Sequence, residues 1–365
     1  MKGNVIITVP KLSAIGGVSS FWNGLLPELV RFENLSIKTV EIGGHGKNVL
    51  GPLIDQWNLN KVIKRDIDLA VLNPSLGYRS FFRDGLFAKQ LIKKKIKFVV
   101  FFHGWDAGFE RKVDQKYKKF FLASFAQASK IFVLSSAFKS KLVEWGYSGD
   151  VIVETTNVDA TLLEGFSFHK KLENANTSGK VKLLFLSRLI KDKGIFETIE
   201  AFDKLRIKFP DLELTIAGDG SEFNAVEKLV NGKANIIMTG HVAGKEKIEL
   251  LKNSHIYCLP SYSEGLPTSV LEAMAFGLPV VTTAVGGLTD FFHDGKMGYF
   301  TIPRNAQHLT EKLEAMLSDN EVLVRMANYN YNFAKEHLTS KIAAKRLYGH
   351  FEEVMAGLQA DRQLN

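Results

Sequence analysis

The sequence predicts an α/β protein made of two doubly wound, parallel-sheet domains that face each other across a cleft. Short apolar segments alternate with longer amphipathic ones, which is the pattern of parallel strands connected by helices. This alternation runs twice along the chain, from a strand at residues 5–9 and again from a strand at residues 181–187. A polar run at residues 173–180 lacks a core pattern and is expected to join the two domains. A chain of 365 residues is long enough for two such cores.

In the first half, a glycine loop follows the first strand. Gly16 and Gly17 lie between that strand and an amphipathic helix predicted over residues 19–32. Glycine lets the backbone approach an anion closely, so the loop is a candidate phosphate cradle, although a plain strand–helix turn has the same pattern. The strands predicted for this half cover residues 5–9, 37–42, 69–72, 98–102 and 131–134.

His103 directly follows the strand at residues 98–102. The C-terminal ends of parallel strands form the edge at which α/β proteins bind ligands. A lone histidine is usually structural, but this placement makes His103 a candidate site residue.

Two aspartates, Asp66 and Asp68, form a D-x-D pattern, which is known as a metal signature. They stand immediately before the strand at residues 69–72, and this position favours the solvated start of a strand. The sequence has neither a His/Cys cluster typical of zinc nor a Gly-rich Walker loop.

Positive charge is concentrated in the first half. Residues 1–163 hold 23 Lys and Arg against 14 Asp and Glu, a net charge of +9, and the remainder has a net charge of −1. Two basic segments, residues 89–97 and 111–121, carry much of it, and the second is mixed with aromatic residues. They are typical either of solvated helix faces or of a surface that binds anionic lipid. Nucleic acid is disfavoured, because no recognisable nucleic-acid-binding motif accompanies the charge.

The second half begins with the strand at residues 181–187, and two cations follow it. Arg188 and Lys193 lie on the loop before a helix predicted over residues 195–209. Arginine can bind a diphosphate with two parallel hydrogen bonds and lysine acts as a point charge, so the pair is either a diphosphate clamp or two surface cations.

Residues 256–287 predict one strand–helix–strand unit. A buried strand at 256–259 leads through a Ser-, Pro- and Gly-rich loop to a helix that starts at Pro267 and ends at Gly277, before a strand at 280–283. Glu264 in the loop and Glu272 in the helix flank the expected ligand crevice. Each could accept hydrogen bonds from sugar hydroxyls or be an ordinary solvated charge, and their spacing alone does not decide.

The segment SEGLPTSVLEAMAFGLPVV, in which seven residues separate the two glutamates, closely resembles the retaining glycosyltransferases of the GT-B fold, family 4 (glycosyl transferases group 1). The resemblance is strong over residues 150–300 and weaker over the first half of the chain. Other segments resemble the family in the same order along the chain: Gly16-Gly17, His103-Gly104, Asn157 to Asp159, Arg188 to Gly194, Gly240 to Val242, and the closing hairpin-like turn at residues 291–300.

The resemblance implies a role for each matching residue. Glu264 would contact the donor sugar, together with His103 near the reacting centre, and Glu272 would hold the ribose of the nucleotide. Arg188, Lys193 and the Gly16-Gly17 amides would bind the diphosphate, and Val242 would lie beside the base. The donor-binding set implied in this way is Gly16, Gly17, Arg188, Lys193, Val242, Gly265, Leu266, Pro267 and Glu272.

The resemblance also implies an organisation and an activity. Residues 1–163 would bind the acceptor, residues 164–338 would bind the nucleotide sugar, and residues 339–365 would return to the first domain. The expected reaction is transfer of a hexosyl group, with retained configuration, from a UDP- or GDP-sugar to a hydroxyl of a lipid-linked or surface-polysaccharide glycan intermediate. No metal or other cofactor is expected, because cations and a helix N-terminus would stabilise the leaving diphosphate. A nucleotide-sugar epimerase or hydrolase and a non-catalytic binding module are the alternatives.

Composition favours a cytoplasmic location. A single cysteine, Cys258, excludes an internal disulfide and suits a reducing compartment. The first residues lack the longer apolar core of a signal peptide, and no apolar run approaches the roughly 20 residues of a membrane-spanning helix. Because many members of the resembling family glycosylate membrane-anchored acceptors, peripheral binding to the cytoplasmic face of a membrane through the basic helices is also expected.

Overall fold

A computed structural model describes residues 2–14, 16–44, 50–63, 66–178 and 180–363. The chain divides into two compact units, one formed by Met1–Asp159 with Ser340–Asn365 and the other by Ala160–Thr339. Both are built on parallel sheets, which confirms the predicted α/β class with two parallel-sheet domains.

The first unit contains a six-stranded parallel sheet in the order β2-β1-β3-β5-β7-β8 and a small parallel pair, β4-β6. Its strands are β1 (Gly3–Val9), β2 (Leu35–Glu41), β3 (Leu69–Leu72), β4 (Ser75–Leu76), β5 (Lys97–Phe101), β6 (Gly104–Trp105), β7 (Lys130–Val133) and β8 (Asp150–Val153). The helices that connect them are α1 (Gly17–Leu29), α2 (Gly51–Val62), α3 (Tyr78–Lys93), α4 (Ala107–Lys112), α5 (Lys118–Leu122) and α6 (Ser136–Glu144). The β3 residues are all buried, as expected for a central strand covered on both faces.

The second unit contains another six-stranded parallel sheet, in the order β11-β10-β9-β12-β13-β14. Its strands are β9 (Lys182–Leu186), β10 (Glu213–Ala217), β11 (Ile236–Gly240), β12 (Ile256–Leu259), β13 (Val280–Thr283) and β14 (Gly298–Thr301). Its helices are α7 (Phe168–Ser178), α8 (Ile195–Lys208), α9 (Phe223–Val230), α10 (Gly244–Asn253), α11 (Thr268–Ala275), α12 (Leu288–Phe291), α13 (Ala306–Leu317) and α14 (Asn320–His337).

The last helix, α15 (Ser340–Gln363), belongs to the first unit. The guanidinium Nε of Arg346 donates to both carboxylate oxygens of Glu154 at 3.1 Å. Tyr348 stacks on Phe32 with ring centroids 4.0 Å apart. These contacts hold α15 against two parts of the first unit, the residue that follows β8 and the loop between α1 and β2.

Two local expectations are wrong. The polar run at residues 173–180 is not an irregular join, because α7 covers most of it and the units divide earlier, between Asp159 and Ala160. The helix is fixed by its first turns: Phe168 stacks on Tyr331 at 4.6 Å, and Lys171 Nζ donates to two backbone carbonyls. Residues 291–300 do not close as a hairpin, since β14 pairs in parallel with β13.

The basic segments of the first unit lie on helices. Residues 89–97 run from the last turns of α3 into β5, and residues 111–121 run from α4 through a π-helical turn, Val113–Tyr117, into α5. Binding of this surface to anionic lipid stays a prediction. Across the described ranges, no helix combines the length and apolar character needed to cross a membrane.

Candidate donor-binding and catalytic site

The centre of the second unit's sheet is a topological switch point. From β9 the chain continues to β10 on one side, whereas β12 pairs with the other side of β9. Crevices form beyond the C-terminal ends of strands at such points and are the usual ligand sites of doubly wound sheets. The loops that follow β9 and β12 carry five of the nine predicted donor-binding residues: Arg188, Lys193, Gly265, Leu266 and Pro267.

Lys193 and Glu264 meet at this edge. They are 71 residues apart in the chain, yet Lys193 Nζ donates a hydrogen bond to Glu264 Oε1. Only 11% of the lysine side chain and 10% of the glutamate side chain are exposed. Ser261 Oγ donates to the same carboxylate oxygen at 2.7 Å. The cluster, defined here as Lys193, Glu264 and Ser261, thus places a neutralised carboxylate beside a buried cation.

Glu272 is also buried and paired. It lies in the second turn of α11 with 8% of its side chain exposed, and Lys247 Nζ on α10 donates to Oε1 at 2.8 Å. The sequence pattern did not single out Lys247, one of three lysines within eight residues of a helix. A carboxylate held in this way is oriented before any ligand arrives, and it can still accept hydrogen bonds through its second oxygen.

The start of α11 is anchored to the sheet. The helix begins at Thr268, one position after the start that the sequence predicts, and Pro267 is its capping residue. The Tyr257 hydroxyl donates to the Leu186 carbonyl and pairs with Ser269 Oγ, both at 2.8 Å. Since the first N–H groups of a helix lack intrahelical partners, this anchored N-terminus can bind an anion.

The remaining predicted donor contacts of the second unit fall into two groups. Arg188, the second residue after β9, is exposed and can reach a ligand with its guanidinium. Val242, Leu266 and Pro267 are buried, so their side chains shape the site from within. Gly265 is tied to the next loop by a hydrogen bond from the Gly287 N–H to its carbonyl, at 2.6 Å.

Gly286 holds the backbone of the Glu264 loop in place. Its φ is +55°, and an added Cβ would lie 2.2 Å from the Glu264 carbonyl oxygen and 2.3 Å from that of Gly265. The loop after β13 therefore packs backbone against backbone on the loop that carries Glu264. This close approach requires glycine.

Replacing Gly286 by alanine should destabilise the protein more than the same change at Gly295. Gly295 also has a positive φ, +77°, but nothing lies within 4 Å of an added Cβ. Both variants should lose about 1–2 kcal/mol from the unfavourable backbone region. The collision should cost Gly286→Ala about 1–3 kcal/mol more, which thermal unfolding of both variants would show. Equal melting temperatures would contradict the close packing of these two loops.

In the first unit, Gly16 and Gly17 lie at the N-terminal end of α1. An added Cβ would find nothing within 4 Å at either position, so the backbone there is open to an approaching group. The φ of Gly16 is 167°, an extended conformation that any residue adopts, so the geometry of the turn does not itself require glycine at this position.

His103 lies in an aromatic setting at the C-terminal end of β5. Its ring stacks on that of Phe101, with ring centroids 4.1 Å apart, and meets the ring of Phe21 edge-on, with centroids 4.8 Å apart. Nε2 lies 2.9 Å from Oδ1 of Asn73, which the sequence pattern did not single out. Burial lowers the pKa of His103 to about 3, so the imidazole is neutral at physiological pH. A neutral ring can orient a hydroxyl group but cannot act as a cationic acid.

The D-x-D pattern has a structural role. Asp68 accepts a hydrogen bond from the backbone N–H of Asn4 at 3.0 Å, at the start of the paired strands β1 and β3. Asp66 is exposed, as expected for the solvated start of a strand.

Comparison with known proteins identifies the second unit's family. Residues 168–333 match the sequence model of the family described as glycosyl transferases group 1. The capsular polysaccharide biosynthesis glycosyltransferase CapM of Staphylococcus aureus is 24% identical over 218 residues, which cover 59% of this chain and 55% of CapM. The chain spans about half the length of the curated relatives that it matches.

Solved structures share the fold over nearly the whole chain. Sucrose-phosphate synthase from Thermosynechococcus elongatus superposes with a TM-score of 0.78 at 15% identity, covering 98% of this chain and 100% of that one. Anabaena HepE, crystallised with UDP and glucose, superposes with a TM-score of 0.68 at 14% identity, covering 95% and 99%. Residues 168–333 therefore form a domain of the glycosyl transferases group 1 family, in a chain that has the GT-B fold of glycosyltransferases.

Proposed function

We propose that this protein is a retaining glycosyltransferase of family 4, which transfers a hexosyl group from a nucleotide sugar to a hydroxyl of a glycan acceptor in polysaccharide biosynthesis. The observation that carries the proposal is the buried cluster of Lys193, Glu264 and Ser261 at the switch point of the second unit. The family match over the same residues and the name of the relative CapM support it.

The donor is proposed to be a sugar linked to UDP or GDP. A diphosphate carries negative charge that Lys193, exposed Arg188 and the N-terminus of α11 would stabilise together. Glu272, held by Lys247, would accept hydrogen bonds from the ribose hydroxyls. HepE, which shares the fold, was crystallised with UDP, and this favours the uridine nucleotide among the two.

The proposed chemistry uses charge stabilisation. The bond between the anomeric carbon and the diphosphate oxygen breaks, and a bond from that carbon to the acceptor oxygen forms on the same face of the sugar. The acceptor's proton passes to the leaving phosphate oxygen. Lys193 and Arg188 stabilise the negative charge that develops there, while Glu264 holds the sugar ring. No metal ion is required, because these cations and the helix N-terminus fulfil its role.

The acceptor is proposed to be a lipid-linked or surface-polysaccharide glycan intermediate. CapM, which resembles this chain, is named for capsular polysaccharide biosynthesis. The net charge of +9 over residues 1–163 is suited to an anionic acceptor or to a membrane surface that presents one, with the protein on its cytoplasmic face.

A thermal-shift screen with UDP, GDP, ADP and their sugar conjugates, with chelator present, tests the donor assignment. A nucleotide at 100 times its dissociation constant should stabilise the native state by about 2.7 kcal/mol. We expect UDP or GDP to raise the melting temperature without metal, and uridine or guanosine, which lack the diphosphate, to do so far less.

Two outcomes would overturn parts of the proposal. If no nucleotide shifts the transition, the donor site is wrong and a non-catalytic binding module is favoured. If a nucleotide sugar binds but releases its nucleotide at the same rate with and without glycan acceptors, hydrolysis or epimerisation replaces transfer.

A further inference from the structure

Asn73 has no place in the reaction described so far, yet it makes the polar contact to the ring of His103. Asn73 is the first residue after β3 and His103 is the second residue after β5, and these two strands are neighbours in the first sheet. The distance from Asn73 Oδ1 to His103 Nε2 is 2.9 Å. Only 6% of Asn73 is exposed, so its amide is fixed by protein partners.

The orientation of the Asn73 amide follows from its other hydrogen bonds. Its Nδ2 donates to the carbonyl oxygen of Thr8 at 2.6 Å, and its backbone N–H donates to Thr8 Oγ1 at 3.2 Å. Turning the amide over would bring Oδ1 against the Thr8 carbonyl, so that two acceptors would face each other without a proton between them. Oδ1 therefore faces His103.

An amide oxygen can only accept a hydrogen bond, so the proton must be on Nε2 of His103. In a neutral imidazole the other nitrogen then carries a lone pair. Among the described residues, those in ring contact or hydrogen-bond distance of His103 are Phe21, Trp22, Phe101 and Asn73. None of these four side chains is ionised at physiological pH, so none of them favours a second proton on the ring. His103 keeps partial solvent exposure, which leaves its edge accessible to a ligand.

We propose that Asn73 is a positioning residue that locks neutral His103 in the Nε2–H tautomer, so that Nδ1 accepts a hydrogen bond from a hydroxyl of the substrate sugar. The catalytic part of this inference rests on the proposed glycosyl transfer, whereas the tautomer is a property of the protein alone. The ring is held by stacking on Phe101, and its Nε2–H already donates to Asn73, so Nδ1 is left as an oriented hydrogen-bond acceptor.

The tautomer can be measured without any substrate. Long-range ¹H–¹⁵N spectra of protein labelled at histidine nitrogen distinguish the two neutral tautomers and the cation, and the His103 signal is assigned by its loss in His103→Gln. We expect the Nε2–H tautomer, unchanged between pH 5 and 8. An Nδ1–H tautomer, or a cation forming in this range, would overturn the proposal.

Two substitutions then test the role of Asn73. Asn73→Ala removes the acceptor, so the His103 signal should become that of a tautomer mixture and kcat should fall about tenfold, while the Kd for UDP stays the same. Asn73→Asp places a carboxylate opposite Nε2, which favours the imidazolium and raises the pKa of His103. Activity of this variant should therefore decline on the acid side at a pH where the native enzyme does not.

Asn330→Ala is the matched control. Asn330 is fully buried and its Nδ2 also donates to backbone carbonyls, those of Leu278 and Met297, but it lies in the second unit. Its loss should lower the melting temperature and leave the His103 nitrogen shifts unchanged.

If Asn73→Ala also leaves those shifts unchanged, Asn73 does not set the tautomer. If the shifts change and kcat does not, the acceptor role is wrong. Absence of any transfer by the native protein would overturn the proposed function and leave the tautomer result standing.

Discussion

Lys193→Ala should lower kcat for glycosyl transfer by about 10²–10³-fold, the usual effect of removing one preorganised donor to a developing charge. Lys193 is buried and pairs with Glu264, so its ammonium is oriented by the protein and needs little reorganisation. In the proposed reaction its removal would take away a cation from the leaving diphosphate, and it also leaves the Glu264 carboxylate without its lysine partner. Initial rates at saturating donor, on protein whose folding is checked by thermal unfolding, give the measurement.

Two further variants separate these contributions. Lys204→Ala removes another lysine of the same region, on α8, whose ion pair with Glu200 is largely exposed, and it should change kcat less than twofold. The double variant Lys193→Ala/Glu264→Gln removes the carboxylate charge that Lys193→Ala alone would leave unpaired. Activity should stay low in this double variant if the cation stabilises the diphosphate. If the activity of the double variant rises to near that of Glu264→Gln alone, the lysine only neutralises the carboxylate. If kcat of Lys193→Ala is within threefold of native, Lys193 does not bind the diphosphate as proposed.

Glu272→Ala should weaken nucleotide binding by about 10- to 100-fold. Hydrogen bonds to a charged group contribute about 1.5–3 kcal/mol, and each 1.4 kcal/mol is a factor of ten in affinity. Glu272 is buried and is held by Lys247, so its carboxylate would lose little freedom on binding the ribose in the proposed complex. Isothermal titration with UDP or GDP, whichever the thermal-shift screen selects, measures the change.

Lys247→Ala distinguishes ribose recognition from a purely structural ion pair. It removes the partner of Glu272 and leaves the carboxylate itself in place. Its effect on nucleotide affinity should therefore be several times smaller than that of Glu272→Ala. Equal losses would mean that the ion pair, and not the carboxylate, matters for binding. Unchanged affinity in Glu272→Ala would exclude the ribose assignment.

The strands were predictable because their signal is local. Leu69–Leu72 and Val280–Thr283 are short apolar or β-branched runs that the structure buries completely, and both strands lie where the sequence predicts them. Such runs are typical of parallel strands covered by helices on both faces. The polar stretch within α7 gave no such signal, because that helix is held mainly through Phe168 and Lys171 in its first turns.

The pairings within the site could not be predicted, because they depend on strand order. The Lys193–Glu264 pair forms because β12 lies beside β9, three strands later in the chain. The Asn73–His103 contact forms because β5 lies beside β3. A single asparagine after a strand is unremarkable in a sequence. Only the pairing of β3 with β5 shows that Asn73 faces His103.

The position of α15 in the first unit has a consequence for the synthesis of the chain. The second unit is one continuous segment, Ala160–Thr339, whereas the first also needs residues from Ser340 onward. Domains generally fold as units, and those nearer the N-terminus usually complete first as the chain leaves the ribosome. Here that order is reversed, because all of the second unit is synthesised before α15, whose Arg346 pairs with Glu154. The unit that contains the N-terminal residues is therefore completed after the second unit.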